Sequence, residues 1–404
     1  MASDQLTRRV MVARLAGLGL AGLLPAACAT QTAAPLSGSV GQRTLVLVEL
    51  TGGNDGLNTI IPIADPLYRA MRPRLAISAG DAIPLADGLA AHPSLAALMP
   101  AWRARDCAVL LGVGYPQPNR SHFRGIEIWD TASDAGEILS DGWVARALTQ
   151  HQRRAIDAVA LGRPYLGPLL GPDVAVVALA NPQAFAASAR TVSVPATEAH
   201  ATRPAALEHV VRTQARLSAA GATLQQRLQG RPAPEGFPRT GIGGQMATAA
   251  RLILAGMDVP VIKVSLGSFD THVFQRATHA RLLRELAEAL AAFRDAMITA
   301  NRWDDVLVLT YSEFGRRPQE NGGTPGNADS PGTDHGTAAP HFALGGRVRG
   351  GLLGRQPPLT DLDGQDLRYT QDFRSIFATL ARRWWDISPD RVVRGSFDPV
   401  PLFA

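Results

Sequence analysis

What most limits the fold open to this chain is a series of short, mostly apolar runs, each stopping abruptly in polar or glycine-rich sequence. Thr44–Leu50 lands on Thr51-Gly52-Gly53-Asn54-Asp55-Gly56-Leu57-Asn58, and Ala108–Val113 is followed by Tyr115 to Phe123. Val261–Leu266 lands on Gly267-Ser268-Phe269-Asp270-Thr271-His272, and Val306–Thr310 leads to Ser312-Glu313-Phe314. Short, mostly apolar runs of this length, bounded by polar and glycine residues, predict strands buried on both sides. Helical spacing fills the intervals: His92–Arg103, a segment opening near Ser121, Gln245–Ala255, the stripe Leu282, Leu283, Leu286, Leu290 and Phe293, and Asp372–Trp385. Val174–Leu179 is a further candidate strand, and Arg203–Gln229 reads as a long surface helix. Strands alternating with helices predict an α/β fold, a three-layer sandwich with a mainly parallel central sheet. In such a sheet the loops after the strands converge at the carboxyl-end edge, where ligands bind.

The N-terminus has a separate logic. Leu6-Thr7-Arg8-Arg9-Val10-Met11-Val12 resembles a twin-arginine export motif, and the apolar Leu15–Leu24 and small Ala26-Ala27-Cys28-Ala29 follow. That apolar run is shorter than the ~20 residues a spanning helix needs. The expected organisation is a twin-arginine signal at 1–29, a flexible tether at 30–42 and a single domain at 43–404. The protein is then placed in the periplasm or cell envelope, with the export machinery as a partner. Cleavage after Ala29 and lipidation of Cys28 both remain open, so membrane contact is expected only through the signal or a Cys28 anchor. Apart from Cys28 only Cys107 remains, which excludes a disulfide framework and reads as a small buried hydrophobe. The formal charge of +5 falls to +3 when the signal takes away Arg8, Arg9, Arg14 and Asp4. The basic residues are scattered and not interleaved with aromatics, so no nucleic-acid partner is expected.

The chemistry-bearing residues gather at the predicted strand ends. Asp55, Asp270, His272, Glu313, Asp334, His335 and His341 are acids and imidazoles in those loops, or in the long Gly/Pro/Asn loop after Glu313. A loop that long inside a domain is usually functional. Carboxylates with imidazoles suit divalent cations, and two such ions can neutralise a phosphate or sulfate ester and activate a hydroxyl. Each residue alone is also compatible with an ordinary loop hydrogen bond; their placement at successive strand ends is what favours a site. Ser121 stands where a helix begins, either as a plain N-cap or as a nucleophile over an anion site. His92, His151, His200, His209 and His279 have no such placement and read as surface or structural. Gly52-Gly53-Asn54-Asp55-Gly56 lacks G-x-G-x-x-G spacing, which argues against a dinucleotide-dependent oxidoreductase.

LVLVELTGGNDGLNTIIP, NRSHFRGIEIWD, GSFDTH with Gln275, TYSEFGRRPQENGG and GTDHGTAAPHFALGGRVRGG together resemble the bacterial domain-of-unknown-function family 1501. That family is similar to the alkaline-phosphatase and sulfatase superfamily, and the resemblance implies an alkaline-phosphatase-like sandwich with a metal site at the sheet edge. It implies Asp55 as the acid after the first strand, Ser121 in the nucleophile's position, Asp270 and His272 as a metal-binding pair, and Asp334-His335 as the superfamily's Asp-His pair. Two departures stand out. Only Thr271 separates Asp270 from His272, where the better-known phosphatases have three residues. Ser312-Glu313 also occupies the place directly after the strand, so an alternative register has Glu313 replacing the Asp-His pair and His335 serving as the last metal-binding histidine.

The expectation is an exported metal-dependent hydrolase of phosphate or sulfate esters acting on a small-molecule or envelope substrate. Ser121 would attack; Asp55, Asp270, His272, Glu313, Asp334 and His335 would hold one or two divalent ions, with zinc, manganese, magnesium and calcium all compatible. His341 would be a further ligand or general acid, and Asn54, Asn58, His122 and Arg316 would contact substrate. The competing expectation is an envelope binding protein that keeps the fold without the chemistry.

Overall fold

The computed structural model describes residues 43–152, 154–179, 221–224, 226–322 and 330–404. By internal contacts the chain divides into Met1–Pro35 and Leu36–Ala404, and every described residue belongs to the second unit. The export signal, the tether, Cys28 and most of the helix expected at Arg203–Gln229 lie outside the described residues. Among the described residues, no helix is long and apolar enough to cross a membrane.

The apolar runs are strands of one sheet. In chain order it contains β1 (Thr44–Leu50), β2 (Cys107–Gly114), β3 (Ala158–Leu161), β4 (Val176–Leu179), β5 (Val261–Leu266), β6 (Val306–Tyr311), β7 (Ala339–Leu344), β8 (Gly351–Leu353) and β9 (Gln371–Asp372). The order across the sheet is β8-β2-β7-β6-β1-β5-β3-β4, with β9 beside β2. All neighbours are parallel except β7, which runs antiparallel between β2 and β6. β1, β5 and β6 are buried along their whole length, which is why they lack alternation.

Helices cover both faces. On one side α3 (Gly241–Leu254) and α4 (Gln275–Thr299) pack with Val46, Val48 and Leu50. On the other, α1 (His122–Thr131), α2 (Trp143–Leu148) and α5 (Phe373–Thr379) pack with Leu45 and Leu47. The three-layer sandwich expected from the sequence is therefore present. Cys107 is a free, buried thiol in the first of these cores. The expected helix at His92–Arg103 is two pieces, a tight 3₁₀ run over Pro93–Leu98 and an α-turn over Met99–Arg103. The stretch after Glu313 is not only loop: Arg316–Glu320 and Thr333–His335 form an antiparallel ribbon pairing Arg316 with His335. That ribbon returns His335 to the sheet edge.

The α1 face contains one ionisable cluster within its apolar packing. Lys263, the only lysine in the sequence, is buried on β5 and pairs with Glu49 on β1. The Asp130 carboxylate on α1 accepts from the Tyr165 hydroxyl at 2.7 Å and faces the Tyr311 hydroxyl at 3.5 Å. The ammonium pairs with Glu49, and Asp130 is left with the two hydroxyls as its hydrogen-bond partners. Burial first, and the Glu49 charge second, push the Asp130 carboxyl up from 3.8 to about 8. A carboxyl raised on folding stabilises the fold fully below its ordinary value of 3.8, and that contribution is lost as the pH rises through about 8. Asp130→Asn removes the ionisation, so the native chain should lose thermal stability relative to this variant as the pH is raised from acidic to mildly alkaline. A stability difference that stays constant with pH would show that Asp130 does not titrate there.

Candidate metal centre

Four strand ends and the returning ribbon build the site. After β1 the backbone turns through Gly52 and Gly53 at φ of +116° and +79°. A Cβ at Gly52 would lie 2.4 Å from the Asp270 nitrogen, and one at Gly53 would lie 2.5 Å from the Phe314 ring. Only glycine lets the three loops approach this closely. The Gly52 N–H donates to Glu313 Oε1 at 2.8 Å, tying the end of β1 to the end of β6. Arg316, 1% exposed, joins the remaining segments. It donates to the carbonyls of Gly52, Gly53 (2.7 Å), Phe269 (3.0 Å) and Thr333 (2.8 Å), and to Asp270 Oδ1 at 2.7 Å.

Asp270 is the centre of the arrangement. His335 Nε2 lies 3.1 Å and His272 Nε2 3.0 Å from its Oδ1, and His122 Nε2 lies 3.3 Å from its Oδ2. His272 Nε2 and His335 Nε2 are 3.0 Å apart. The ligand atoms of His122, Asp270 and His335 all fall within 4.8 Å of one another. The far nitrogens are held from behind. His122 Nδ1 is 2.8 Å from Glu313 Oε1, His335 Nδ1 is 2.9 Å from the Arg120 carbonyl, and His272 Nδ1 is 3.5 Å from Asp334 Oδ1. The buried Phe314 ring lies tilted against His122 and His335, with centroids at 4.9 and 4.6 Å.

This geometry fits a divalent ion. Imidazole ligands usually anchor their second nitrogen on a carboxylate or backbone carbonyl, which fixes the ring and its tautomer. Zinc bound at ~2.0–2.1 Å in a tetrahedron spaces its ligand atoms by about 3.3 Å, close to the contacts around Asp270. His122 Nε2 is a buried ring nitrogen with no hydrogen-bond partner, aimed at that carboxylate. The charges agree. The hydrogen bond to Glu313 raises the His122 imidazole above its ordinary value, against the effect of burial. Burial acts to raise Asp270, but its bonds to Arg316 and His335 outweigh it and keep the carboxyl well below the usual range. Burial lowers His335.

The structure brings together Asp270, His272, Glu313, Asp334 and His335 from the sequence expectation, and puts His122, expected there as a substrate contact, in a ligand's position instead. Glu313 and Asp334 stand behind histidines. Arg316 is completely enclosed, so it positions Asp270 and does not meet substrate. Ser121 is exposed at the edge, between Arg120, whose carbonyl holds His335, and His122; its side chain makes no cap bond to α1.

Four expected site residues lie elsewhere. Asp55 is 1% exposed and pairs with Arg72 at 2.6 Å and Gln275 at 2.5 Å, so a guanidinium occupies the place expected for a cation. Burial acts to raise this carboxyl, yet the Arg72 charge and hydrogen bond hold it below the usual range. Asn54 bonds to Thr59 and His279, and Asn58 to the Leu75 carbonyl, Tyr68 and Arg72; both are buried. His341 lies inside β7, fully buried against the Trp129 ring, and burial pushes it down to about 3. It is a neutral core side chain, not a ligand or acid at the edge.

A family profile described as "Protein of unknown function (DUF1501)" matches residues 91–383. No curated protein matches the sequence. Among solved structures the chain is similar to the soluble domain of lipooligosaccharide phosphoethanolamine transferase A from Neisseria meningitidis, at 12% identity and a TM-score of 0.38, covering 89% of this chain and 92% of that one. It is similar to the lipoteichoic acid synthase LtaP from Listeria monocytogenes, at 9% and 0.38, covering 86% and 72%. A protein in the alkaline phosphatase superfamily from Vibrio parahaemolyticus is similar at 10% and 0.37, covering 88% and 70%.

Proposed function

The chain belongs to the family described as protein of unknown function (DUF1501), and from that premise we propose that it is a metal-dependent hydrolase of phosphate or sulfate esters. The observation that carries this reading is three imidazoles turned toward one carboxylate, each with its other nitrogen occupied from behind. His122, Asp270 and His335 would hold the ion, with His272 as the fourth ligand. An imidazole-rich set with one carboxylate suits zinc better than magnesium or calcium, which favour oxygen ligands. One ion is proposed and not two, because Asp55 already has Arg72 as its cation. Such an ion, when bound, polarises the ester and favours an ionised hydroxyl nearby.

The side chains supply the rest. Ser121, exposed beside His122, offers its Oγ to the phosphorus or sulfur. The bond from that atom to the alcohol oxygen breaks, and the departing alcohol gains the proton that the serine lost. Water then cleaves the serine ester and restores the hydroxyl. Glu313 and the Arg120 carbonyl keep the His122 and His335 rings in register throughout. Export to the envelope belongs to the same proposal and rests on the twin-arginine pattern of residues 1–29.

Metal analysis of the purified chain, with assays on aryl phosphates and aryl sulfates, tests the reading. About one equivalent of a zinc-like ion is expected, together with turnover that a chelator removes and zinc restores. Ser121→Ala should abolish turnover while keeping the ion. Retained metal without turnover on either ester class would leave the envelope binding protein as the better account.

A further inference from the structure

Two of the most exposed large apolar side chains sit on the segments that carry the histidines. Phe123 follows His122 directly and is 89% exposed; Phe274 lies two residues after His272 and is 54% exposed. Their placement has a geometric consequence. Phe123 is in the first turn of α1 and Phe274 is the cap residue of α4. Side chains of a helix lean toward its N-terminus. A first-turn phenylalanine therefore leans toward the sheet edge that carries Asp270.

Phe274 is also held at a backbone cost. Its φ and ψ are +53° and +28°, a left-handed conformation that aromatic residues rarely adopt. Glycine or asparagine would meet the same backbone demand more easily. The chain therefore keeps an exposed ring where local physics favours a smaller residue.

Resting on the metal-dependent ester reading, we propose that Phe123 and Phe274 form an apolar rim that selects the alcohol part of the ester. The ligand class is an amphiphilic anion, a phosphate-type or sulfate-type group carrying an alkyl chain or aryl ring and not a sugar or other polyol. The size of the feature favours such a ligand over a protein. Two phenylalanines offer roughly 150–250 Å² each. A stable protein interface takes about 800 Å² from each partner. The surroundings supply the complementary half, because the exposed Arg276 follows Phe274 within two residues.

Calorimetric binding of methyl-, butyl- and octylphosphonate to the zinc-loaded full chain tests this without turnover. Octylphosphonate should bind at least about tenfold more tightly than methylphosphonate, the ratio that burial of fewer than two of its additional methylenes on an open rim would give. Phe123→Ser and Phe274→Gly should each shrink that ratio, and together should bring it near unity. Phe274→Gly should meanwhile raise the melting temperature, because glycine relieves the left-handed strain; a purely structural role for the ring predicts the opposite. A chain-length ratio near unity in the native protein, a ratio that survives both substitutions, or equal binding of a sugar phosphate overturns the rim while leaving the ester reading intact. No phosphonate binding to protein that retains its zinc overturns both. Phosphatidylglycerol vesicles separate the two sources of the same chemistry: Phe123-dependent vesicle binding marks a lipid headgroup ester, and octylphosphonate preference without it marks a soluble one.

Discussion

His122→Ala is expected to strip the ion from the protein while leaving the fold intact. The ring is 35% exposed in the first turn of α1, and its contacts are with Glu313, Asp270, Phe314 and His335, so little core packing is lost. Metal affinity should fall by more than the ~10–100-fold that follows loss of an outer-shell partner. Glu313→Gln supplies the internal comparison. It keeps the side chain's shape and an acceptor for the Gly52 N–H, but weakens the charge behind His122, so its loss of affinity should fall within that outer-shell range. Equilibrium zinc titration of both variants, with circular dichroism as the fold control, reads the difference. Equal losses in the two variants would mean that His122 is not a ligand and that Glu313 acts on the ion by another route. Native-like affinity in His122→Ala would remove the centre as drawn.

The assignment of His122 shows which parts of the site the sequence exposes. Strands β1, β2, β5 and β6 announce themselves because burial on both faces keeps them dominated by apolar residues, Glu49 and Lys263 being charged exceptions that pair with each other. Residues placed just past those ends, such as Asp270 and Glu313, are then easy to locate. His122 lies past an end too, directly after Ser121, and the order of residues alone does not separate a ligand from a substrate contact there. Its ligand position depends on the rotation of α1 against Phe314, a tertiary fact.

Asp55 and His341 fail for complementary reasons. Asp55 does follow β1, but its fate is set by Arg72, whose Nε also bonds the Pro318 carbonyl; that pairing depends on how the Arg72 segment packs against the ribbon. His341 stands in AAPHFALGG, an apolar stretch that is itself a central strand. Antiparallel β7 interrupts an otherwise parallel order, so the region after Asp334-His335 reads as the end of a loop until its partners β2 and β6 are known.

Arg316→Met is expected to cost about 3–5 kcal/mol of stability, the range for breaking a buried charged network by removing one partner. The question is which contacts carry that cost. The ion pair with Asp270 is the smaller part, because that carboxylate is 44% exposed and water screens it. The carbonyls of Gly52, Gly53, Phe269 and Thr333 are the larger part. They come from three different loops, and each buried acceptor left without a donor costs about 1–3 kcal/mol before the structure relaxes. Arg316→Lys should rescue little, since one ammonium cannot reproduce a planar fork that donates in several directions. Asp270→Asn, by contrast, should cost less in the metal-free protein, because its amide oxygen can still accept from Arg316 and the four carbonyls keep their donor. Urea unfolding of the three variants without metal decides the matter. A large loss in Asp270→Asn, matching that of Arg316→Met, would shift the weight to the ion pair. A mild effect of Arg316→Met would mean that the three loops hold their positions without it, and that the preorganisation of Asp270 has another source.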